Sequence, residues 1–505
     1  MTVNLRLLGT CCSLLLAGAG CGSTPATRPE MTAPVADAPP PPAAPVPPAP
    51  VPVPPLISAL LDSTRSAAAL GTRLGLHSAA ALRAFYLPAC EPAWTVPADS
   101  LNANALAALA LLARAEEHGL QAADYGAARL HGLRDSLAQR AGPALAAQRA
   151  GQQARLEVYL TDAVLTFMRD LTRGRLRAYT PSTRERAGGP AWQPPALLRA
   201  ALASHTVPVA MVAGQPANRE YRQLQRALAQ GLRLPVAPDS LAQHHARYQK
   251  AAVNLERWRW ELVLAGPEYV LINLPAFELQ VVAHDSVLRR HRVVIGAPKT
   301  STPTLSSTIN RFTLAPDWHV PRSIATKEML PRLKKDAGYL TRNNYALYDD
   351  RGALLEPTSI NWAQVSAQSF AYTIRQSAGC ENALGNIVFR FANPYSIYVH
   401  DTPLRQLFGR PSRALSHGCI RMEQPLELAA FLLRRDGRSA VLPSEEECAN
   451  QPRPRDVRLG RPIPLYVRYA TCTAENGRLR FYADVYGRDE VIRRGLFGAN
   501  LAGKK

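Results

Sequence analysis

Apolar positions along the chain change their spacing once. From about Ile57 to Gly266 they recur at steps of three and four, the signature of helices with one buried face. Leu106, Leu109 and Leu112 form one such face, with Gly119 as a stop signal. Leu156, Leu160, Val164, Phe167 and Leu171 form a longer one, closed by Gly174. Tyr221, Leu224 and Leu228 repeat the step, and Ser240 is placed to cap a last helix carrying Leu241, Tyr248, Leu255 and Trp258. Stripes of this kind face a core, so residues 57–266 predict a helical scaffold with no catalytic signature of its own.

Near Glu268 the period falls to that of strands. Tyr269 to Leu274 is a buried-strand run. Phe277, Leu279 and Val281 then alternate with polar residues, and the chain turns at Asp285-Ser286. Val287 to Ile295 returns, ending at Gly296. Residues 311–315, 386–391 and 396–400 are further strands, and Pro425 to Leu433 reads as a helix with proline in its first turn. Between them residues 322–370 show no clear period, which predicts a lid or binding loop, or else a plain insertion. The expected fold class is α+β: a helical N-terminal scaffold, a β-rich domain over 267–448, and an extension at 449–505 with strands near 463–469 and 478–485.

The N-terminus alters the picture by placing the chain outside the cell interior. Arg6 precedes an apolar run from Leu7 to Leu16, too short against the roughly 20 residues a spanning helix needs. Residues 1–20 therefore read as a secretory signal. Small residues before Cys21 resemble a lipoprotein cleavage box, leaving a lipid anchor at Cys21 and simple cleavage both open. Residues 21–56 are a linker. Its part 39–55 has eleven prolines in seventeen positions. That is an extended stretch, reaching roughly 50 Å at about 3.1 Å per residue.

Lys and Arg number 59 against 39 Asp and Glu, a net charge of +20. The excess favours anionic partners. No dense basic tract or aromatic-basic motif points to nucleic acid. Outside the signal region stand Cys90, Cys380, Cys419, Cys448 and Cys472. An odd number in an exported protein leaves one thiol free, and the other four allow three pairings. No CxxC pair exists, so no structural metal is expected, and nothing calls for a cofactor.

The chemistry concentrates in Ser416-His417-Gly418-Cys419-Ile420-Arg421, read with His400 in Tyr398-Val399-His400-Asp401. A thiolate is a strong nucleophile, and neighbouring cationic groups favour it. Gly418 permits a tight turn whose successive N–H groups can face a developing oxyanion. His400 ends a strand nineteen positions before Cys419, so a strand return can bring it alongside. His417 is the rival base, two positions before Cys419, and is read as facing away from it.

The run His400-Asp401-Thr402-Pro403, then Leu407-Phe408, then Ser416 to Arg421, resembles the catalytic signature of L,D-transpeptidases with a YkuD domain. Asn273-Leu274-Pro275, Val294-Ile295-Gly296, Pro316-Asp317-Trp318-His319 and Asn382-Ala383-Leu384-Gly385 extend the likeness. Phe85-Tyr86 and Pro92-Ala93-Trp94 give it the look of the large periplasmic, YcbB-like branch. The resemblance implies that Cys419 is the nucleophile and His400 its base and later acid. It implies an oxyanion held by N–H groups of His417, Gly418 and Cys419, with Ser416 in the site loop. Arg421 could bind a stem carboxylate, and Tyr398 and Trp362 could line the donor groove. The implied reaction links two peptidoglycan stem peptides by a 3→3 crosslink through a thioester, in the periplasm. Water as acceptor would instead make a carboxypeptidase, and a protein lysine an anchoring enzyme. A non-catalytic wall-binding protein of the same fold is the reading of another class.

Overall fold

The computed structural model describes residues 51–498, apart from 62–65, 88, 97–99, 140–144, 177–192, 262–265, 380, 440, 445, 448–449 and 451–452. The expected signal, Cys21, most of the proline-rich linker, Cys380 and Cys448 lie outside the described residues. The last linker prolines differ from expectation. Helix Val53–Leu61 takes in Pro54 and Pro55. A first helical turn has no use for the missing N–H, and proline's fixed φ suits it.

The N-terminal region is helical, as the spacing predicts. All five stripe residues of helix Ala146–Arg173 are buried, and Gly174 follows it. In helix Ala103–Leu112 the expected face is rotated. Leu106 is 54% exposed, and Ala105, Ala108, Leu109 and Leu112 turn inward. Two alanines let this helix approach its neighbours closely, a face that counting leucines does not see. Ser240 precedes helix Leu241–Trp260 without a side-chain cap, because a tight turn at Pro238–Ser240 leads straight into it. Leu241 is accordingly exposed, whereas Tyr248, Leu255 and Trp258 are buried.

After a short hairpin, β1 (Thr95–Val96) and β2 (Ser100–Leu101), the strands begin where the period changes. β3 (Glu268–Asn273), β4 (Glu278–Ala283) and β5 (Ser286–Gly296) form an antiparallel meander. The two-residue turn is His284-Asp285, one position earlier than expected, and both residues are left-handed with φ 48 and 65. β6 (Leu305–Leu314) follows. Next comes a small four-stranded sheet made of β7 (Trp318–His319), β8 (Tyr345–Tyr348), β9 (Leu354–Leu355) and β10 (Thr373–Gln376). Then come β11 (Ile387–Phe391), β12 (Val399–His400), β13 (Ala414–Ser416), β14 (Ile420–Met422), β15 (Arg455–Arg468) and the hairpin β16 (Cys472–Glu475) and β17 (Arg478–Phe481).

The main sheet runs β13-β5-β14-β12-β11-β6-β15-β3-β4, and β4 also pairs with β5, so it closes on itself. Inside lie Val270, Ile272, Val293, Ile295, Phe312, Phe389 and Val399, with Leu428, Leu432 and Leu433 of helix Pro425–Arg435 packed against them. On the outer face, Tyr269, Leu271, Val282 and Tyr466 meet helices Arg219–Leu232 and Leu241–Trp260. β3 is covered on both faces, which explains its unbroken apolar run.

One expectation changes here. Residues 322–370 are not a structureless loop. Met329, Leu333, Leu340, Leu347, Trp362, Phe370 and Ile374 make a core of their own beside the main barrel. The strands expected at 449–505 pack back on the body, where β15 pairs with β3 on one side and β6 on the other. Helix Asp489–Phe497, which the periodicity did not show, packs its Ile492, Leu496 and Phe497 on the scaffold side of the same sheet.

Candidate active site

β12 and β14 run parallel, with Val399 beside Ile420 and His400 beside Arg421. Successive side chains on a strand point to opposite faces. Val399, Ile420 and Met422 fill the core. Tyr398, His400, Cys419 and Arg421 therefore share the other face, and the backbone bond from Ile420 N–H to Tyr398 C=O, 3.0 Å, fixes the pairing one step earlier. The rings of Tyr398 and His400 meet edge to face at 5.7 Å. The strand return expected from sequence thus brings His400 to Cys419's side of the sheet.

The turn carrying Cys419 is braced from several directions. The Ser416 hydroxyl donates to the Cys419 carbonyl at 2.6 Å and accepts from Gly418 N–H at 3.1 Å. Gly418 has φ 122, open to glycine and strained for other residues. Its carbonyl accepts from the Thr302 hydroxyl at 2.8 Å, which itself accepts from Gly296 N–H at 2.9 Å. A methyl on Gly296 would stand 2.1 Å from the Thr300 carbonyl and 3.1 Å from Gly418 Cα, so only glycine lets these strands approach. Tyr486 closes the brace by donating to the Gly296 carbonyl at 2.7 Å while accepting from Thr302 N–H at 3.2 Å. Gly296, Thr302 and Tyr486 were not singled out as site residues by sequence reasoning. Tyr486 is nearly seventy positions from the cysteine and carries no local signal.

The thiol is part-buried and free. Burial pushes its pKa above the usual 9.0, against the backbone and hydroxyl of Tyr398 and the charge of Arg421, which pull it down. His400 is buried, and desolvation, helped by the Arg421 charge, lowers its pKa to about 3. Its Nδ1 is buried without a hydrogen bond among the described residues. The backbone of Asp401 and Leu384 nearby only moderates the shift. At neutral pH the resting pair is a neutral thiol and a neutral imidazole. Burial also raises the Tyr398 hydroxyl to about 12, with the Cys419 thiol adding to it and the Trp318 indole opposing. Arg421 is part-buried, and its guanidinium meets no carboxylate among the described residues.

Asp401, next to His400, is held in turn. Its carboxylate accepts from Asn386 N–H at 2.9 Å, and a Cβ on Gly385 would collide with it at 2.5 Å. Asn382 is buried and donates to the carbonyls of Pro316, Gln376 and Ser377, pinning the loop between β10 and β11.

Other expected site residues are placed differently. The side chain of His417 points out to solvent and meets Glu328 of the inserted small sheet region at 2.6 Å, away from the thiol. The Gly418 N–H is occupied by Ser416, which leaves the N–H groups of His417 and Cys419 without acceptors among the described residues. Trp362 is buried in the inserted core and donates its indole N–H to the Pro357 carbonyl at 2.8 Å, so it does not line a groove. Trp318, beside Tyr398, is the aromatic that faces the site. Cys90 and Cys472 are free thiols as well, so neither enters the pairings expected for them. Among the described residues no helix is long and apolar enough to cross a membrane.

Residues 267–444 match the YkuD family, described as an L,D-transpeptidase catalytic domain, and residues 80–228 match a family described as a Scaffold domain. A curated protein of Haemophilus influenzae, whose name assigns it provisionally to the L,D-transpeptidases, is 33% identical over 247 residues. The match takes in 48% of this chain, and the chain spans about half (49%) of that relative's length. A solved L,D-transpeptidase from Mycobacterium smegmatis aligns at 15% identity over 40% of this chain and 58% of its own, with a TM-score of 0.19, too low to bear on the fold.

Proposed function

We propose, for a chain that carries a YkuD L,D-transpeptidase catalytic domain behind a Scaffold domain, that Cys419 is an acyl-transfer nucleophile forming 3→3 crosslinks between peptidoglycan stems. The observation that carries this reading is the shared face of β12 and β14, which carries His400, Cys419, Tyr398 and a guanidinium that meets no carboxylate among the described residues.

His400, neutral at rest, takes the thiol proton as the sulfur attacks the carbonyl of the third residue of a tetrapeptide stem. The N–H groups of His417 and Cys419 are the donors left open for the oxyanion. Collapse of the tetrahedral species breaks the peptide bond, and the terminal D-alanine leaves as an amine with the proton from His400. The thioester is then attacked by an amine of a second stem, His400 takes the amine proton, and the thiol is restored as the crosslink forms. Arg421 is the partner for a stem carboxylate, and Tyr398 with Trp318 lines the donor side. The division proposed for the chain is a signal at 1–20, a linker at 21–56, a scaffold at 57–266, and a catalytic domain from 267 that takes in β15 from the C-terminal part. Export to the periplasm, with or without a lipid on Cys21, goes with this reading.

Incubation with disaccharide-tetrapeptide, followed by intact-protein mass spectrometry and product analysis, tests it. A mass increase on the wild type that is absent from Cys419→Ala, together with stem dimers, is the expected result. Free tripeptide alone would make the enzyme a carboxypeptidase. An equal adduct on Cys419→Ala would remove the nucleophile.

A further inference from the structure

A cleft of about 390 Å³, lined by no residue of the Ser416–Arg421 turn, opens where helix Leu241–Trp260, the start of β6, the end of β15 and helix Asp489–Phe497 meet. Its walls combine aromatic and apolar surface from Trp260, Tyr469, Leu305 and Ile492 with the guanidinium groups of Arg257 and Arg488.

The two arginines are held but not satisfied. Tyr469 and Tyr486 stack with centroids 5.5 Å apart and planes at 21°. The Arg488 guanidinium lies over both rings, at 5.0 and 5.1 Å. Stacking fixes its plane and leaves its edge donors free. No carboxylate or carbonyl takes them among the described residues, since Asp484 is occupied by the Tyr469 hydroxyl and the N–H groups of Arg488 and Asp489. Arg257 binds Asp489 through Nη1 at 2.6 Å, while its Nη2 is buried without a partner among the described residues. A third wall arginine, Arg468, is engaged by Glu261 at 3.1 Å.

An oriented planar donor set on Arg488, beside an aromatic and aliphatic wall and backed by the charge of Arg257, suits a carboxylate carried on a larger amphipathic body. We propose that this cleft is a second binding site for peptidoglycan peptide, taking a stem carboxylate on Arg488 outside the turn that carries the thiol. The nature of the ligand rests on the acyl-transfer reading above, while the site itself rests on the cleft.

The test uses full-length protein alkylated at Cys419 with iodoacetamide, so that the thiol side is capped and no turnover occurs. A disaccharide-tripeptide fragment is titrated and binding followed by calorimetry and tryptophan fluorescence. Saturable binding is expected, weakened about tenfold or more in Arg488→Ala, in line with the loss of a charge-assisted contact, and weakened less in Arg488→Lys. The same fragment with its carboxylates methylated should not bind. Absence of saturable binding, equal binding by Arg488→Ala, equal binding of the methylated fragment, or inorganic phosphate binding as tightly as the fragment would each overturn the site. Thioester formation on unmodified Cys419 reads the acyl-transfer proposal separately, so a failure of one is not mistaken for a failure of the other.

Discussion

The two residues expected to react are placed in neutral forms, and this gives the chemistry a pH signature. Burial raises the Cys419 thiol above 9.0 and lowers His400 to about 3. A preformed thiolate–imidazolium pair would show a thiol reactive at neutral pH and level above it. Here the thiolate fraction is still growing at pH 9. Alkylation of Cys419 by iodoacetamide should therefore climb steadily from pH 6 through pH 9. A plateau reached below pH 7 would show that the ion pair exists at rest. That Cys419 and His400 lie on one face of the sheet was legible because a cysteine and a histidine stood in an unusual local context. The placing of Trp362 was not, because an indole in an aperiodic segment reads alike whether it faces a groove or a core. The inserted core of Leu340, Leu347 and Phe370 decided it.

At the scale of elements, periodicity located helices and strands well where both faces of an element have clear neighbours, as in β3 and helix Ala146–Arg173. It failed where alanine carries the buried face, as in helix Ala103–Leu112. The turn holding Cys419 depends on close backbone approach, which a hydrophobic pattern cannot show. Gly296→Ala would drive a methyl into the Thr300 carbonyl and toward Gly418. It should lower stability by about 1–3 kcal/mol, the usual range for overpacking. Acylation of Cys419 should fall by more than the unfolded fraction accounts for, because the displaced atoms belong to the reactive turn. Thermal melts paired with adduct rates check this, and a variant that melts lower but acylates normally would show that the brace does not position the thiol.

For the whole molecule, the decisive feature is that the C-terminal part is structural. β15 contributes Ile463, Leu465 and Val467 to the barrel interior and stands between β3 and β6. A chain ending at residue 454 would leave two long strand edges unpaired and the core open. It should be insoluble or lack a cooperative melt, whereas removal of a mere appendage would leave a folded catalytic domain. Expression of that truncated chain with circular dichroism and a melt decides between them. The same C-terminal part supplies Tyr486 to the Gly296–Thr302 brace and Arg488 to the cleft, so sequence distance from Cys419 says little about proximity to the site.

Alone, the sequence determined the order of a helical part and a β-rich part, and a cysteine in a short polar motif with a histidine on a strand before it. Those features are local: a period of three and four, a period of two, and a short motif each express the surroundings of adjacent residues. Tertiary structure decided which face of each helix is buried, that β15 lies inside the sheet, that Trp362 is core, and that Thr302 and Tyr486 hold the turn of Cys419. These depend on which distant segments pack together, and contacts at long range leave no periodic trace in a single chain.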